Sequence, residues 1–325
     1  MEKIISKTIN DELVQALTKA RTVAVCCHVN PDGDTIGSAL ALRLGLLRLG
    51  KQVRVFCADK VPDLLSCLPG QETVEHEVPA DARFDLVCPV DISDDYRMGS
   101  CKPLLDQGED VVLIDHHGTN PGFARVNVID GDAPACCLLI KVLLERLGVT
   151  VDRDIAVCLY AGISTDTGNF SFGNTTAEAF RATAELMETG LPLAELNRVL
   201  FRQRDVAQLL LIRAALETLR FAHGQELAYM TLTQADFAAC GARGEHADTV
   251  VNFGMDLKGA KMALLAREAG NGEIKLSLRA IAPWRVDEAA HALGGGGHAQ
   301  AAGATLHGTL AECTERAVAE MVKYL

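Results

Sequence analysis

The run HVNPDGDTIGS, residues 28–38, sets one imidazole and two carboxylates, His28, Asp32 and Asp34, in a single loop. Pro31 and Gly33 force a tight turn, so both carboxylates can face one point. One imidazole with two carboxylates suits a borderline or hard divalent cation such as manganese or magnesium. The plainer reading is a polar turn that caps the helix beginning at Thr35. Three other segments carry similar chemistry. DLVCPV, 85–90, leads into Asp91, with Asp94 and Arg97 following. DVVLI, 110–114, leads into Asp115-His116-His117. The apolar stretch before STDTG, 164–168, ends at Asp166. A buried carboxylate without a partner is costly. A metal would supply that partner, and a helix cap or turn is the alternative. Acidic residues are common after strands, so the weight lies in the convergence of four segments. A glycine run, Gly294 to Gly297, precedes His298. Glycine lets backbone amides approach a phosphate or a terminal nucleotide closely; a flexible loop is the competing reading. It is not a dinucleotide fingerprint, which follows the first strand and opens a helix.

The elements that must position these residues alternate between strand and helix in the first half. Strands are expected at 22–27, 52–57, 85–90 and 110–114, and helices at 35–49, 133–147 and 152–165. Strands spaced by helices imply a parallel sheet covered on both faces. Three of those strands then end in metal-capable side chains on one crest, where open α/β sheets place ligands. Residues 175–220 are helical in pattern, with an interruption at Gly190-Leu191-Pro192. Further on, 227–232, 261–267 and 274–281 read as strands, the last two joined by a Gly270-Asn271-Gly272 hairpin turn. A final helix covers 309–325.

The 325 residues suffice for two domains, and a hydrophobic fraction of 49% supports sizeable cores. The net charge of -12 and an aromatic content of 5% disfavour a long polyanion, which needs many basic contacts and stacking rings. Eleven cysteines without any C-x-x-C read as small hydrophobes in a reduced, cytoplasmic chain. No apolar segment follows Met1-Glu2-Lys3 and no run reaches membrane-spanning length, so neither secretion signal nor membrane span is expected. Arg202 and Arg204 in FRQR read as a solvated helix face, and Cys27 as a packed strand residue. No serine or cysteine nucleophile with a placed base is evident.

In order, HVNPDGD, DISD (91–94), Asp115-His116-His117, STDTG and GGGGHAQAAG (294–303) resemble the DHH phosphoesterase superfamily. The last motif is similar to the signature of the DHHA1 domain found in one branch. Within the superfamily, chain length and motif packing look most like the bifunctional oligoribonuclease and pAp phosphatase subfamily, the nanoRNases. The resemblance implies a doubly wound, mainly parallel α/β DHH domain, placed here at 1–190. A linker at 191–205 would lead to a smaller α/β DHHA1 domain at 206–325, with substrate held between the two domains. It implies two divalent ions, manganese first and magnesium as the alternative. His28, Asp32 and Asp91 would hold one; Asp34, Asp91, His116 and Asp166 would hold the other. Asp91, His116 and His117 would be catalytic, with His117 facing the scissile phosphate. Arg97, Arg279, His298 and the glycines Gly295, Gly296 and Gly297 would contact substrate. SLRA departs from a more usual arginine-serine pair, which would remove a hydroxyl contact at Ala280.

Two such ions can activate a water for in-line attack and offset charge on the phosphate. The expected substrates are short oligoribonucleotides, giving nucleoside monophosphates, and 3′-phosphoadenosine 5′-phosphate (pAp), giving AMP and phosphate. Long nucleic acid and membranes are not expected partners, and a homodimer stays open. The competing functions are a cyclic or linear dinucleotide phosphodiesterase, a manganese pyrophosphatase, and a non-catalytic nucleotide-sensing module. No metal-capable residue of the set is missing, which speaks against the last.

Overall fold

The computed structural model describes residues 8–325, and of His298 the backbone alone. Met1-Glu2-Lys3 lies outside the described residues. The chain divides into two compact units between Gln203 and Arg204.

In the first unit, helix α1 (Asp11–Lys19) leads into strand β1 (Thr22–Cys26) and helix α2 (Gly33–Arg48). Strands β2 (Gln52–Phe56), β3 (Val74–Glu75), β4 (Leu86–Pro89), β5 (Val112–Asp115) and β6 (Val126–Ile129) follow. Helices α3 (Cys136–Arg146), α4 (Arg153–Asp166) and α5 (Ala177–Met187) come next. All strand pairings in this unit are parallel. Backbone bridges Val87–Val111 and Val90–Ile114 connect β4 to the β5-β6 pair. The order across the sheet is therefore β3-β2-β1-β4-β5-β6. That is the order of a doubly wound sheet, and its switch point lies between β1 and β4.

Successive side chains on β1 point to opposite faces. Val23, Val25 and Cys27 enter one core with α2, α3 and α4. Ala24 and Cys26 enter a second core with Phe56, Phe84, Met98 and Leu104. Burial on both faces explains why these strands read as unbroken apolar runs. The second face is closed by 3₁₀ turns over Asp95–Asp106 instead of a long helix, which no helical period could announce. Helices α2 and α4 approach so closely that a Cβ at Gly37 would lie 2.4 Å from the Cys158 carbonyl oxygen.

Residues 191–203, expected as linker, pack with the first unit. Leu191 and Leu196 are buried in its core. Within helix α6 (Leu193–Asn197), Asn197 accepts a hydrogen bond from the Tyr160 hydroxyl at 2.5 Å. A π-helical turn, Arg198–Arg202, ends the unit. Among the described residues, no helix is long and apolar enough to cross a membrane.

The second unit opens with helix α7 (Val206–Glu217), followed by β7 (Arg220–Ala222), β8 (Leu227–Leu232) and helices α8 (Gln234–Cys240) and α9 (Asn252–Met255). Then come β9 (Met262–Gly270), β10 (Glu273–Ala280), α10 (Asp287–Ala292), β11 (Gly296–His298), β12 (Ala301–His307) and α11 (Leu310–Met321). They form one sheet ordered β11-β12-β10-β9-β8-β7, antiparallel except for β8-β9. The expected hairpin is present, with positive φ at Gly270, Asn271 and Gly272. Strand β12 escaped the sequence reading because AAGATLH is poor in strand-forming residues.

The α2–α4 approach gives a direct test. Gly37→Ala should lower stability by about 1–3 kcal/mol in urea unfolding, because a carbonyl oxygen cannot move as a side chain can. Gly173→Ala, where nothing lies within 4 Å of the new Cβ, should stay within about 0.5 kcal/mol of the parent chain.

Candidate metal centre

The loop after β1 resolves the choice between turn and ligand, because Asp32 can serve both roles. Its Oδ1 caps α2, accepting from the Asp34 and Thr35 amides at 3.0 and 3.1 Å. Its Oδ2 lies 3.6 Å from His28 Nε2. Thr35 is buried and staples the loop: its hydroxyl accepts from the His28 amide and donates to the Val90 carbonyl. His28 Nδ1 sits 2.8 Å from the Val29 carbonyl. Donation there leaves Nε2 as the lone-pair nitrogen on the carboxylate side, the tautomer a metal needs.

Asp91 follows β4 with φ +58°, a left-handed conformation that aspartate tolerates better than most residues. Its amide donates to the Ile114 carbonyl of β5, while that of Val90 donates to Cys26 of β1. The residue thus straddles the switch point. Asp91 Oδ2 is 3.4 Å from His28 Nε2, and Oδ1 is 3.3 Å from His116 Nε2. His116 Nε2 also lies 3.2 Å from Asp166 and 3.7 Å from Asp34. Its Nδ1 is 3.0 Å from the Ala133 carbonyl, so the same tautomer logic applies.

Three overlapping groups result: His28-Asp32-Asp91, Asp34-His116-Asp166 and Asp91-His116-His117. All six residues expected as metal ligands come together. Asp34 is fully buried in the first turn of α2, where its carboxylate accepts from the amides of Cys136 and Cys137 at 2.5 and 2.9 Å. Helix α3 has no side-chain cap of its own, so Asp34 satisfies amides that a helix start leaves unpaired.

Charge in the centre is unbalanced. Burial, then Asp166 and Asp91, push the Asp34 carboxyl well above its usual range. Burial likewise raises Asp166, against the pull of His116. Burial disfavours protonation of His28, yet Asp32 and Asp91 outweigh it and hold the imidazole up at about 10. The same contest, won by Asp166 and Asp91, pushes His116 up to about 12. Asp91 Oδ1 is buried without a hydrogen bond. Divalent cations fit this site: they would supply the positive charge that the carboxylates otherwise draw from protonated imidazoles, and would displace those protons.

Asp115, the first residue of the triplet, is a member of none of the three groups but adjoins one of them. Its Oδ1 is 2.7 Å from His117 Nδ1 and accepts from the His116 amide. Its Oδ2 accepts from Asn120 Nδ2 at 2.6 Å, and that same amide nitrogen donates to the Ile92 carbonyl. Burial would raise the Asp115 carboxyl, but His117 and Asn120 hold it below the usual range. This orienting role went unread in the sequence, where an asparagine five residues after an aspartate carries no signal.

Other expected contacts fall differently. Asp94 caps the 3₁₀ segment through the Tyr96 amide. Arg97 places a guanidinium nitrogen 3.1 Å from His28 Nδ1, against the ligand ring. In the second unit, backbone pairing sets Arg279, Ala301 and His298 in one cross-strand row; the His298 side chain lies outside the described residues. Ala280 points into the core of the opposite sheet face. A hydroxyl at 280 would not have shared the Arg279 face; Ser277 supplies one there, by period-two alternation. Among the glycines, a Cβ at Gly295 would meet the Gly303 carbonyl at 2.0 Å, and one at Gly297 would meet Ala302 Cα at 2.5 Å. Both are required by the pairing of β11 with β12. Gly294 and Gly296 have open space at that position.

Asn120→Ala should therefore destabilise the chain by about 1–3 kcal/mol, since it leaves the buried Asp115 Oδ2 and Ile92 carbonyl without their donor. Thermal and urea unfolding measure this, and an unchanged midpoint would contradict the orienting role.

Comparison with known proteins identifies the family. The DHH family, N-terminal domain, matches residues 22–163, and the DHHA1 domain matches 227–325. The bifunctional oligoribonuclease and PAP phosphatase NrnA of Thermus thermophilus is 36% identical over 88% of this chain and 84% of its own. The protein of the same description from Mycoplasma genitalium is 25% identical over 91% of this chain and 92% of its own. The crystal structure of an exopolyphosphatase-related protein from Bacteroides fragilis has the same fold. Its TM-score is 0.91 at 24% identity, covering 97% of this chain and 95% of that one. The chain belongs to the DHH family, with a DHHA1 domain as its second unit.

Proposed function

We propose that this protein is a two-metal phosphoesterase. It hydrolyses short oligoribonucleotides to nucleoside monophosphates and pAp to AMP and phosphate. The observation that carries this reading is Asp91, whose two oxygens face separate ligand groups, one around His28 and one around His116. The Thermus relative, a bifunctional oligoribonuclease and PAP phosphatase, supports the substrate class.

His28, Asp32 and Asp91 would hold one cation, and Asp34, Asp91, His116 and Asp166 the second; manganese is assigned first, magnesium second. When bound, such a pair lowers the pKa of a water and offsets phosphate charge. The chain's own residues do the positioning. Asp115 fixes the His117 ring through Nδ1, and His117 is assigned to the scissile phosphate. Arg97 adds positive charge beside His28. Arg279, His298 and the Gly295–Gly297 backbone are assigned to the terminal nucleotide. The cysteines are free thiols, which suits a reduced, cytoplasmic setting.

A chelator should abolish activity and manganese restore it. Asp91→Ala should lower kcat/KM beyond the roughly 100-fold loss typical when a ligand's hydrogen-bond partner is changed, and its metal content should fall for both ions. Near-normal turnover in that variant would sink the two-metal assignment. The substrate panel is pAp, short RNA, short DNA, linear and cyclic dinucleotides, and pyrophosphate. With a net charge of -12, kcat/KM should be highest at about two to five nucleotides and fall with length, most sharply at low salt where repulsion is least screened. Equal processing of a 20-mer would refute this.

A further inference from the structure

Helices cover only part of one face of the second unit's sheet. On that face Met230, Leu232, Ala263 and Leu265, from β8 and β9, pack under α7, α8 and α9. The neighbouring strands present Lys275, Ser277 and Arg279 on β10, paired with Thr305, Gly303 and Ala301 on β12. None of these six belongs to a hydrophobic core, and all are exposed or half-buried. A bare sheet face usually carries mixed surface polarity. Here it carries cations, hydroxyls and residues too small to fill the space.

The charge on this strip is one-sided. Arg267, on β9, pairs with Lys275 across the ladder and adds a third cation. Asp248 is 3.3 Å from Arg267 and close enough to interact with Lys275 and Arg279. Among the described residues, no carboxylate lies within ion-pair distance of Lys275 or Arg279. In a chain with a net charge of -12, three cations in a row beside one carboxylate mark a place for an anion.

Spacing decides which anion. Alternate residues of an antiparallel strand are about 7 Å apart on one face, comparable with the phosphate-to-phosphate span of an extended nucleotide chain. Arg279, Ser277 and Lys275 are three successive positions of that kind. Ala301 and Gly303 beside them leave room for sugars, and the Thr305 hydroxyl lies across from Lys275.

We propose that this open face is a backbone track for short single-stranded oligonucleotides, running from Arg279 through Ser277 to Lys275 and Arg267. Lys275 is the specificity-determining residue for phosphates beyond the terminal nucleotide. The track deepens the oligoribonuclease reading and rests on it for the assignment of Arg279 to the chain end. It also limits the gain from added nucleotides, because the three positions end at Lys275.

The test uses the full chain with manganese and RNA of two to five nucleotides. Lys275→Ala should lower the ratio of kcat/KM for the tetramer to that for the dimer by about 3–10-fold, mainly through KM, and reduce the tetramer's salt slope by about one. Lys275→Arg should restore the ratio. Lys323→Ala, on the segment after α11 that packs against the opposite sheet face, should leave it unchanged. Fluorescence anisotropy of a labelled 2′-O-methyl RNA tetramer gives a readout independent of cleavage, and Lys275→Ala should weaken binding by a similar factor. A parent chain that binds the tetramer without cleaving RNA defeats the oligoribonuclease reading alone. An unchanged ratio and unchanged affinity in Lys275→Ala, or no tetramer binding by the parent, overturns the track.

Discussion

Three carboxylates, Asp34, Asp91 and Asp166, crowd within 3.7 Å of a single imidazole nitrogen, His116 Nε2. Like charges at such range cannot all be ionised in a buried site without positive charge to match them. The raised acids and the raised His116 imidazole are consequences of that one arrangement, within which Asp91 Oδ1 has no hydrogen bond. A fold that only had to be stable would gain by replacing these groups with apolar ones. Keeping them together takes a framework that holds each one from behind.

Three strands and three helices of the first unit contribute to that framework. The switch point between β1 and β4 brings His28 and Asp91 together, and the bridges to β5 add His116. Glycines on α2 and α4 let the two helices touch, which sets Asp34 beside the end of α4, where Asp166 sits; a Cβ at Gly162 would lie 2.5 Å from the Asp34 carboxylate. The start of α3 then holds Asp34 through two amides. Helix-terminal dipoles favour negative charge at such a point, so α3 offsets part of the cost of burying that carboxylate. Asp115 and Asn120 do for His117 what carbonyl oxygens do for His28 and His116.

The second unit works by opposite means. Its strands are antiparallel, except for the β8-β9 pair, where the first unit's are parallel, and one sheet face is left partly bare. Glycines at 295 and 297 bring β11 against β12. The glycine run therefore has a structural duty at 295 and 297, while Gly294 and Gly296 have no atom within 4 Å of an added Cβ. Strand alternation puts Lys275, Ser277 and Arg279 on one side and Ala280 on the other.

Much of this was legible in the amino-acid order. Local physics determines apolar runs, turn residues and helical periods, so the alternation of strands and helices and the hairpin at Asn271 could be read directly. The candidate ligand residues stand at strand ends and beside tight turns, and their types alone state the kind of cation they suit. Tertiary structure decided what depends on distant segments meeting. The π-helical turn at 198–202 and the helix before it belong to the first unit because Leu191 and Leu196 reach its core. The 3₁₀ cover of the second sheet face, the capping of α3 by a residue of α2, and the Asn120–Asp115–His117 chain leave no periodic trace. Strand β12 forms from weak strand formers because β10 and β11 offer it partners on both sides. Sequence spacing identified which side chains could act; only the packing of helix on helix and strand on strand determined which atoms of those side chains face each other.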